Sequence, residues 1–263
     1  MHAISVRPPA VAGMFYPRSA AELARTVDDL LLGAAVDVPA GAPAPKALVV
    51  PHAGYVYSGS TAATAFARLA PASGRITRVV LFGPSHRVPL RGLALPAATT
   101  FRTPLGDVPI AHPDLSDLPQ VVVDDAPHAA EHSLEVELPF LQRVLEDFEL
   151  VPFAVGSARP EEVAQVVDRL WGGPETVLVF SSDLSHYHPY AEARRLDRAT
   201  VDRMLALDGP LPTDRACGAH AVNGLLASAA RRGLVAELYA WCNSGDTAGD
   251  KQRVVGYAAL GVR

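Results

Sequence analysis

The chain has 263 residues, 23 Lys+Arg against 28 Asp+Glu, and 49% hydrophobic side chains, enough to bury about three quarters of its unfolded surface. The reading is one α/β domain over residues 1–263; a 19% charged content excludes a disordered chain, and a net charge of −5 excludes the basic face of a nucleic-acid binder. No apolar run approaches membrane-spanning length, Met1–Pro8 has no signal-type apolar stretch, and two cysteines make no disulfide framework, so a reduced, cytoplasmic, membrane-free protein is expected.

Along the chain, Ser19-Ala-Ala-Glu22 is a capping-box pattern, and Leu23, Val27, Leu30 and Leu31 follow it at helical spacing. Short apolar runs rich in Val, Leu and Phe then predict buried strands at 47–50, 79–82, 150–155, 177–180, 235–241 and 254–262. Helical patterns separate several of them, at 60–69, 133–145, 160–170, 190–207 and 219–232, while 91–125 is irregular and predicts a hairpin-like excursion. Strands buried on both faces and alternating with helices imply a largely parallel sheet covered by helices on both sides.

In such sheets chemistry gathers beyond the carboxyl ends of the strands. Four loops there carry reactive side chains: Pro51-His52-Ala-Gly-Tyr55, Gly83-Pro-Ser-His86, Ser181-Ser-Asp183-Leu-Ser-His186-Tyr-His188, and Cys242-Asn-Ser-Gly-Asp246. His52 and His86, held on Gly/Pro turns in matched positions, suit a divalent transition metal. Asp183 is placed to orient His186, which then serves as general acid/base or as a ligand, although the same loop residues can also cap the next helix. For a third ligand the last loop offers the Asp246 carboxylate or the Cys242 thiolate, and the carboxylate suits iron better. In Glu131-His132-Ser-Leu-Glu135-Val-Glu137, the acidic residues read as companions of a helix start, with His132 and Glu135 on one face. His2 and His112 read as surface residues and Cys217 as a thiol without a redox partner. No Walker loop, G-x-G-x-x-G, C-x-x-C, His-Glu-x-x-His or G-x-S-x-G is present.

The phrases at 9–17 (PAVAGMFYP), 51–55 (PHAGY), 83–86 (GPSH), 131–140 (EHSLEVELPF), 181–187 (SSDLSHY) and 244–259 (SGD…VVGYAA) together resemble the Memo family, whose microbial members are called AmmeMemoRadiSam system protein B. The resemblance implies a fold similar to class III extradiol dioxygenases, a metal held by His52 and His86, and Asp183 and His186 in the same pocket. The dioxygenases use Glu as third ligand; no Glu occurs in the C-terminal loop here, and Thr247, beside Asp246, aligns with that position. The expectation is a non-haem metal-dependent oxidoreductase. It holds Fe(II) first, or Cu or Zn, through His52, His86 and Asp246, with His186 and Asp183 catalytic and a small molecule as substrate. Two alternatives stay open: a binding or scaffold partner of AMMECR-type and radical-SAM proteins, and a Zn hydrolase.

Overall fold

The computed structural model describes residues 5–39 and 41–263; His2 lies outside them. In chain order the elements are β1 (Val6–Arg7), α1 (Ala20–Ala35), β2 (Ala47–Val50), α2 (Tyr55–Phe66), β3 (Arg78–Pro84), β4 (Leu93–Leu95), β5 (Thr100–Thr103), β6 (Gly106–Pro109) and β7 (Val121–Val123). They continue with α3 (Ala126–Ala129), α4 (Leu138–Val144), β8 (Glu149–Val155), α5 (Pro160–Arg169), β9 (Thr176–Ser181), β10 (His186–His188), α6 (Tyr190–Leu205), α7 (Ala219–Arg231), β11 (Ala236–Asn243) and β12 (Val254–Val262).

The protein is α/β, and the parallel character belongs to the sheet's centre. Strands β2, β9, β3 and β8 lie side by side and parallel, while β12 closes antiparallel on β2 and β4 closes antiparallel on β8. Strands β10 and β11 both pair antiparallel with β12, and β7 joins β4, giving a nine-stranded mixed sheet. The connection at 244–253 is too short for the crossover a parallel partner requires, so β11 and β12 form a hairpin. The excursion expected at 91–125 contains the hairpin β5–β6, which pairs with β1 in a separate three-stranded sheet.

Successive residues of the central strands feed two cores. Leu48, Val50, Val79, Leu81, Val177 and Val179 pack on the side covered by α1, α2 and α4, and Ala47, Val49, Val80, Phe82, Leu178 and Phe180 on the side covered by α5, α6 and α7. This is the period-2 alternation of a strand buried on both faces. In register across three strands, Phe82 stacks on Phe153 at 5.0 Å and on Phe180 at 4.8 Å, a rigid aromatic layer close to the carboxyl edge.

Two local expectations are corrected. Ser19 occupies the N-cap of α1, but its hydroxyl makes no capping bond. The segment expected as one helix from 133 to 145 is a 3-10 turn at Glu135–Glu137 followed by α4, so residues 131–134 are loop. Among the described residues no helix is long and apolar enough to cross a membrane.

Candidate metal centre

The central strands end at one edge and deliver His52 two residues past β2, His86 two past β3, and Asp183 and His186 shortly after β9. A further imidazole, His132, arrives from the loop before the 3-10 turn. Potential ligand atoms of His52, His86 and His132 all lie within 4.8 Å of one another; ring centroids are 5.3 Å apart for His52–His86 and His52–His132, and 4.7 Å for His86–His132. Close approach of the loop depends on Gly83, because a Cβ there would meet Ser133 Oγ at 2.7 Å and Leu134 Cδ2 at 2.9 Å. Ser133 Oγ donates to the Pro84 carbonyl at 2.9 Å, tying the loop to the end of β3.

Glu131 anchors both His86 and His132, whereas His52 is held by Asp183 and Ser181. The Glu131 carboxylate is fully buried and accepts from His86 N at 2.6 Å through Oε2, and from His86 Nδ1, His132 N and Ser133 N at 2.9 Å through Oε1. Burial pushes this carboxyl upward, but the bonds from His132, His86 and Ser133 outweigh that and hold it well below the usual carboxylate range. With Nδ1 donating to Glu131, His86 keeps its lone pair on Nε2, the usual way a carboxylate sets a ligand's tautomer. His132 Nδ1 lies 3.2 Å from Glu131 Oε1, out of line for a hydrogen bond, and is buried without a partner; the ring leans on Phe15 at 4.8 Å.

His52 is nearly inaccessible, at 2% exposure. Its backbone N–H donates to Asp183 Oδ1 at 2.8 Å, its Nδ1 lies 2.6 Å from Ser181 Oγ, and its Nε2 lies 3.2 Å from Cys217 Sγ. Burial first, then the neighbouring His132 and His86, drive its pKa well below the ordinary value, so the ring is neutral and ready to ligate. Cys217 is thus the neighbour a metal would meet at Nε2, and burial pushes its thiol up.

The donor set fits a divalent transition metal. Neutral imidazoles are the ligands that Zn, Cu, Fe and Ni share, and an unpartnered buried nitrogen on His132 is a group that ligation or a reordered bond would satisfy.

Asp183 and His186 stand beside this cluster, but their coupling differs from the expectation. His186 Nδ1 pairs with the Leu184 carbonyl at 2.8 Å, so Asp183 does not orient it. Asp183 instead accepts the His52 amide, and burial raises its pKa to about 7 against the opposing N–H bonds of His52 and Ala53. The carboxylate turns back toward the end of β2.

Asp246 is likewise not brought to the histidines. Oδ2 accepts the Asn243 amide at 3.0 Å, closing a reciprocal cap on the 3-10 turn Ser244–Asp246, with Arg194 3.7 Å away, and Oδ1 accepts the Tyr190 hydroxyl at 2.5 Å. The carboxylate is consumed in capping its own turn and tying it to α6. Cys242 meets Thr61 Oγ1 at 3.1 Å and is also absent from the cluster. The third imidazole went unrecognised in the sequence because 131–134 read as the first turn of a helix; the available signal was a dense acidic and imidazole run where an amphipathic helix would alternate.

A cleft of about 570 Å³ opens over the site, lined by His132, Asp183, His186, Tyr57, Tyr187 and Arg253 among others, a size suited to a small ligand. A larger cleft of about 1070 Å³ lies between the β8–α5 loop and Pro210–Pro212. It contains His220, whose Nδ1 is engaged by the Ala158 carbonyl at 2.8 Å, and no ligand cluster among the described residues.

A family model described as Memo-like protein matches residues 7–261. MEMO1 family proteins of Archaeoglobus fulgidus and Aquifex aeolicus are 34% and 36% identical, each comparison covering 97% of this chain and 98% of the relative. The MEMO1 family protein of Methanococcoides burtonii is 37% identical over 98% of this chain and the whole of its own length. A match of this extent places the chain in the Memo family.

Proposed function

We propose that the protein is a metal-dependent enzyme, a non-haem iron oxidoreductase of dioxygenase-like type acting on a small molecule held in the 570 Å³ cleft. The observation that carries this reading is the convergence of His52, His86 and His132 beside a cleft that also contains His186. The three imidazoles hold the metal, with His132 in the place expected for Asp246. When bound, the metal supplies Lewis-acid polarisation of a coordinated oxygen and, as iron, redox chemistry.

The chain's own groups then manage binding and protons. Because His186 Nδ1 is committed to the Leu184 carbonyl, Nε2 carries the lone pair, and burial lowers the ring's pKa so that it stands neutral and able to accept a proton. Asp183, with its pKa near neutrality, is a second proton holder on the same wall. Tyr57 and Tyr187 wall the cleft at its exposed side.

The all-imidazole set favours one competing reading, a Zn hydrolase, since three histidines with an open position are an established catalytic zinc arrangement. Anaerobic calorimetric titration with Fe(II) and with Zn(II) tests the centre. The wild type binds at one site, and the His52→Ala/His86→Ala variant loses at least about a hundredfold in affinity. Equal binding by that variant overturns the assignment. Oxygen uptake by the iron form supports the oxidoreductase, whereas chelator-sensitive ester or amide hydrolysis by the zinc form supports the hydrolase. Co-purification with AMMECR-type and radical-SAM proteins, without turnover by either metal form, would make it a binding partner instead.

A further inference from the structure

Glu137 has no part in the chemistry described so far, yet it is a fully buried carboxyl one side chain removed from a metal ligand. Its Oε1 lies 2.9 Å from Ser181 Oγ, and its Oε2 is buried with no hydrogen-bond partner. Ser181 Oγ in turn sits 2.7 Å from the Ser133 carbonyl oxygen and 2.6 Å from His52 Nδ1.

The hydrogens at Ser181 can be counted. A serine hydroxyl has one proton to give and two lone pairs with which to accept. Ser133 O can only accept, so at 2.7 Å it takes the hydroxyl proton; otherwise two oxygens would face each other with lone pairs alone. The two remaining neighbours must then both be donors. His52 therefore carries its proton on Nδ1, which leaves Nε2 unprotonated beside Cys217 Sγ, and Glu137 carries a proton on Oε1. The orphaned Oε2 agrees, since an unpaired oxygen in the interior costs far less on a neutral acid than on a carboxylate.

The surroundings point the same way. Of the other titratable groups, Asp183 adds negative charge near Glu137, and Tyr55 commits its hydroxyl proton to the Val136 carbonyl at 2.6 Å. No cation pairs with Glu137 among the described residues. Burial first, and then Asp183, push the carboxyl up, and the Ser181 bond opposes them only if the hydroxyl proton points at Glu137 rather than at the Ser133 carbonyl.

We propose that Glu137 is a protonated carboxylic acid that donates to Ser181 Oγ and thereby holds His52 in the Nδ1–H tautomer with Nε2 presented for ligation. It is a positioning residue, acting on the metal site through Ser181. The inference rests on His52 being a ligand for its consequence, but not for the protonation itself.

The contrast between Gln and Ala at this position tests it. In Glu137→Gln the amide N–H replaces the acid O–H as donor to Ser181, so Zn(II) affinity by calorimetry stays within about threefold of wild type. In Glu137→Ala the donor is lost, Ser181 is free to reorient, and affinity falls by about tenfold or more, within the range that outer partners of ligands command. Infrared difference spectra of the metal-free protein at pH 7, wild type minus Glu137→Gln, should show the carbonyl stretch of a protonated carboxyl. Its absence, with carboxylate bands in its place, overturns the proposal whatever the metal data show. Should Glu137→Ala fail to fold, the spectrum decides alone. A failed metal site would abolish Zn(II) binding in the wild type but leave the carboxyl band unchanged.

Discussion

Replacing Glu131 by Gln changes one atom at the centre of the metal-site loop. The carboxylate accepts four N–H bonds, one at Oε2 and three at Oε1. Gln keeps the three by placing its amide oxygen at the Oε1 position, and its NH2 then faces the His86 amide, donor against donor. Stranding that N–H costs about 1–3 kcal/mol, and each of the three retained bonds falls from charge-assisted to neutral strength, a loss of about 1 kcal/mol apiece. Relief of the buried charge offsets part of this, leaving a net destabilisation of about 2–4 kcal/mol. For a chain of this size that lowers Tm by about 5–15 °C. The weakened bond to His86 Nδ1 also makes Nε2 a poorer donor, so metal affinity falls about 10- to 100-fold. Thermal melts of the metal-free variant at pH 7 and anaerobic Fe(II) titration measure the two effects separately. A variant within about 0.5 kcal/mol of wild type, with unchanged affinity, would refute the assignment of Glu131 as an ionised, acceptor-only anchor.

Three further outcomes follow from the geometry. His132→Ala should weaken metal binding by at least about tenfold while Asp246→Asn changes it by less than about threefold; paired titrations check the ranking, and the reverse order would return the third-ligand role to the C-terminal loop. Gly83→Ala forces a methyl group against Ser133 and Leu134, which should cost about 1–3 kcal/mol in urea unfolding and loosen the His132 loop; wild-type stability would show that the contact yields freely. His128 is buried, with its pKa lowered from 6.5 to about 4 chiefly by desolvation. The unfolded chain therefore takes up a proton there that the native state refuses, so His128's contribution to stability is full above pH 6.5 and is lost as pH falls toward 4. His128→Gln should take up about one proton fewer on unfolding across that window, read from urea midpoints between pH 4 and 7, and an unchanged slope would contradict the buried neutral ring.

Much of the fold is written locally. A run such as Val79-Val-Leu-Phe82 commits to a doubly buried strand because both faces of each residue pair are apolar, and Pro51 marks the end of β2, whereas β3 runs on through Gly83 to Pro84. That was sufficient to place His52, His86, Asp183 and His186 at one sheet edge, since parallel neighbours put their carboxyl ends together. The antiparallel flanks were not legible, because strand direction depends on how the connection at 244–253 folds back rather than on the composition of β12.

The site's inner arrangement belongs to the tertiary structure. Glu131, Glu135 and Glu137 are chemically alike and close together in the chain, yet Glu131 accepts four N–H groups around two histidines, and Glu135 pairs with Arg7 and Tyr16. Glu137 sits without a cation beside Ser181. What separates them is which distant backbone or side chain packs against each, across separations of 44 to 128 residues. The same holds for Asp183 and Asp246: a carboxylate goes to the nearest unsatisfied N–H, and for Asp183 that is the amide of His52, whereas for Asp246 it lies within its own turn. Sequence pattern determined which elements form and which edge carries the reactive residues, because hydrophobic burial acts through short periodicities. Only the packed structure decided which histidine completes the cluster and which groups surround each acid, because hydrogen-bond partners and desolvation are set by contacts between segments far apart in the chain.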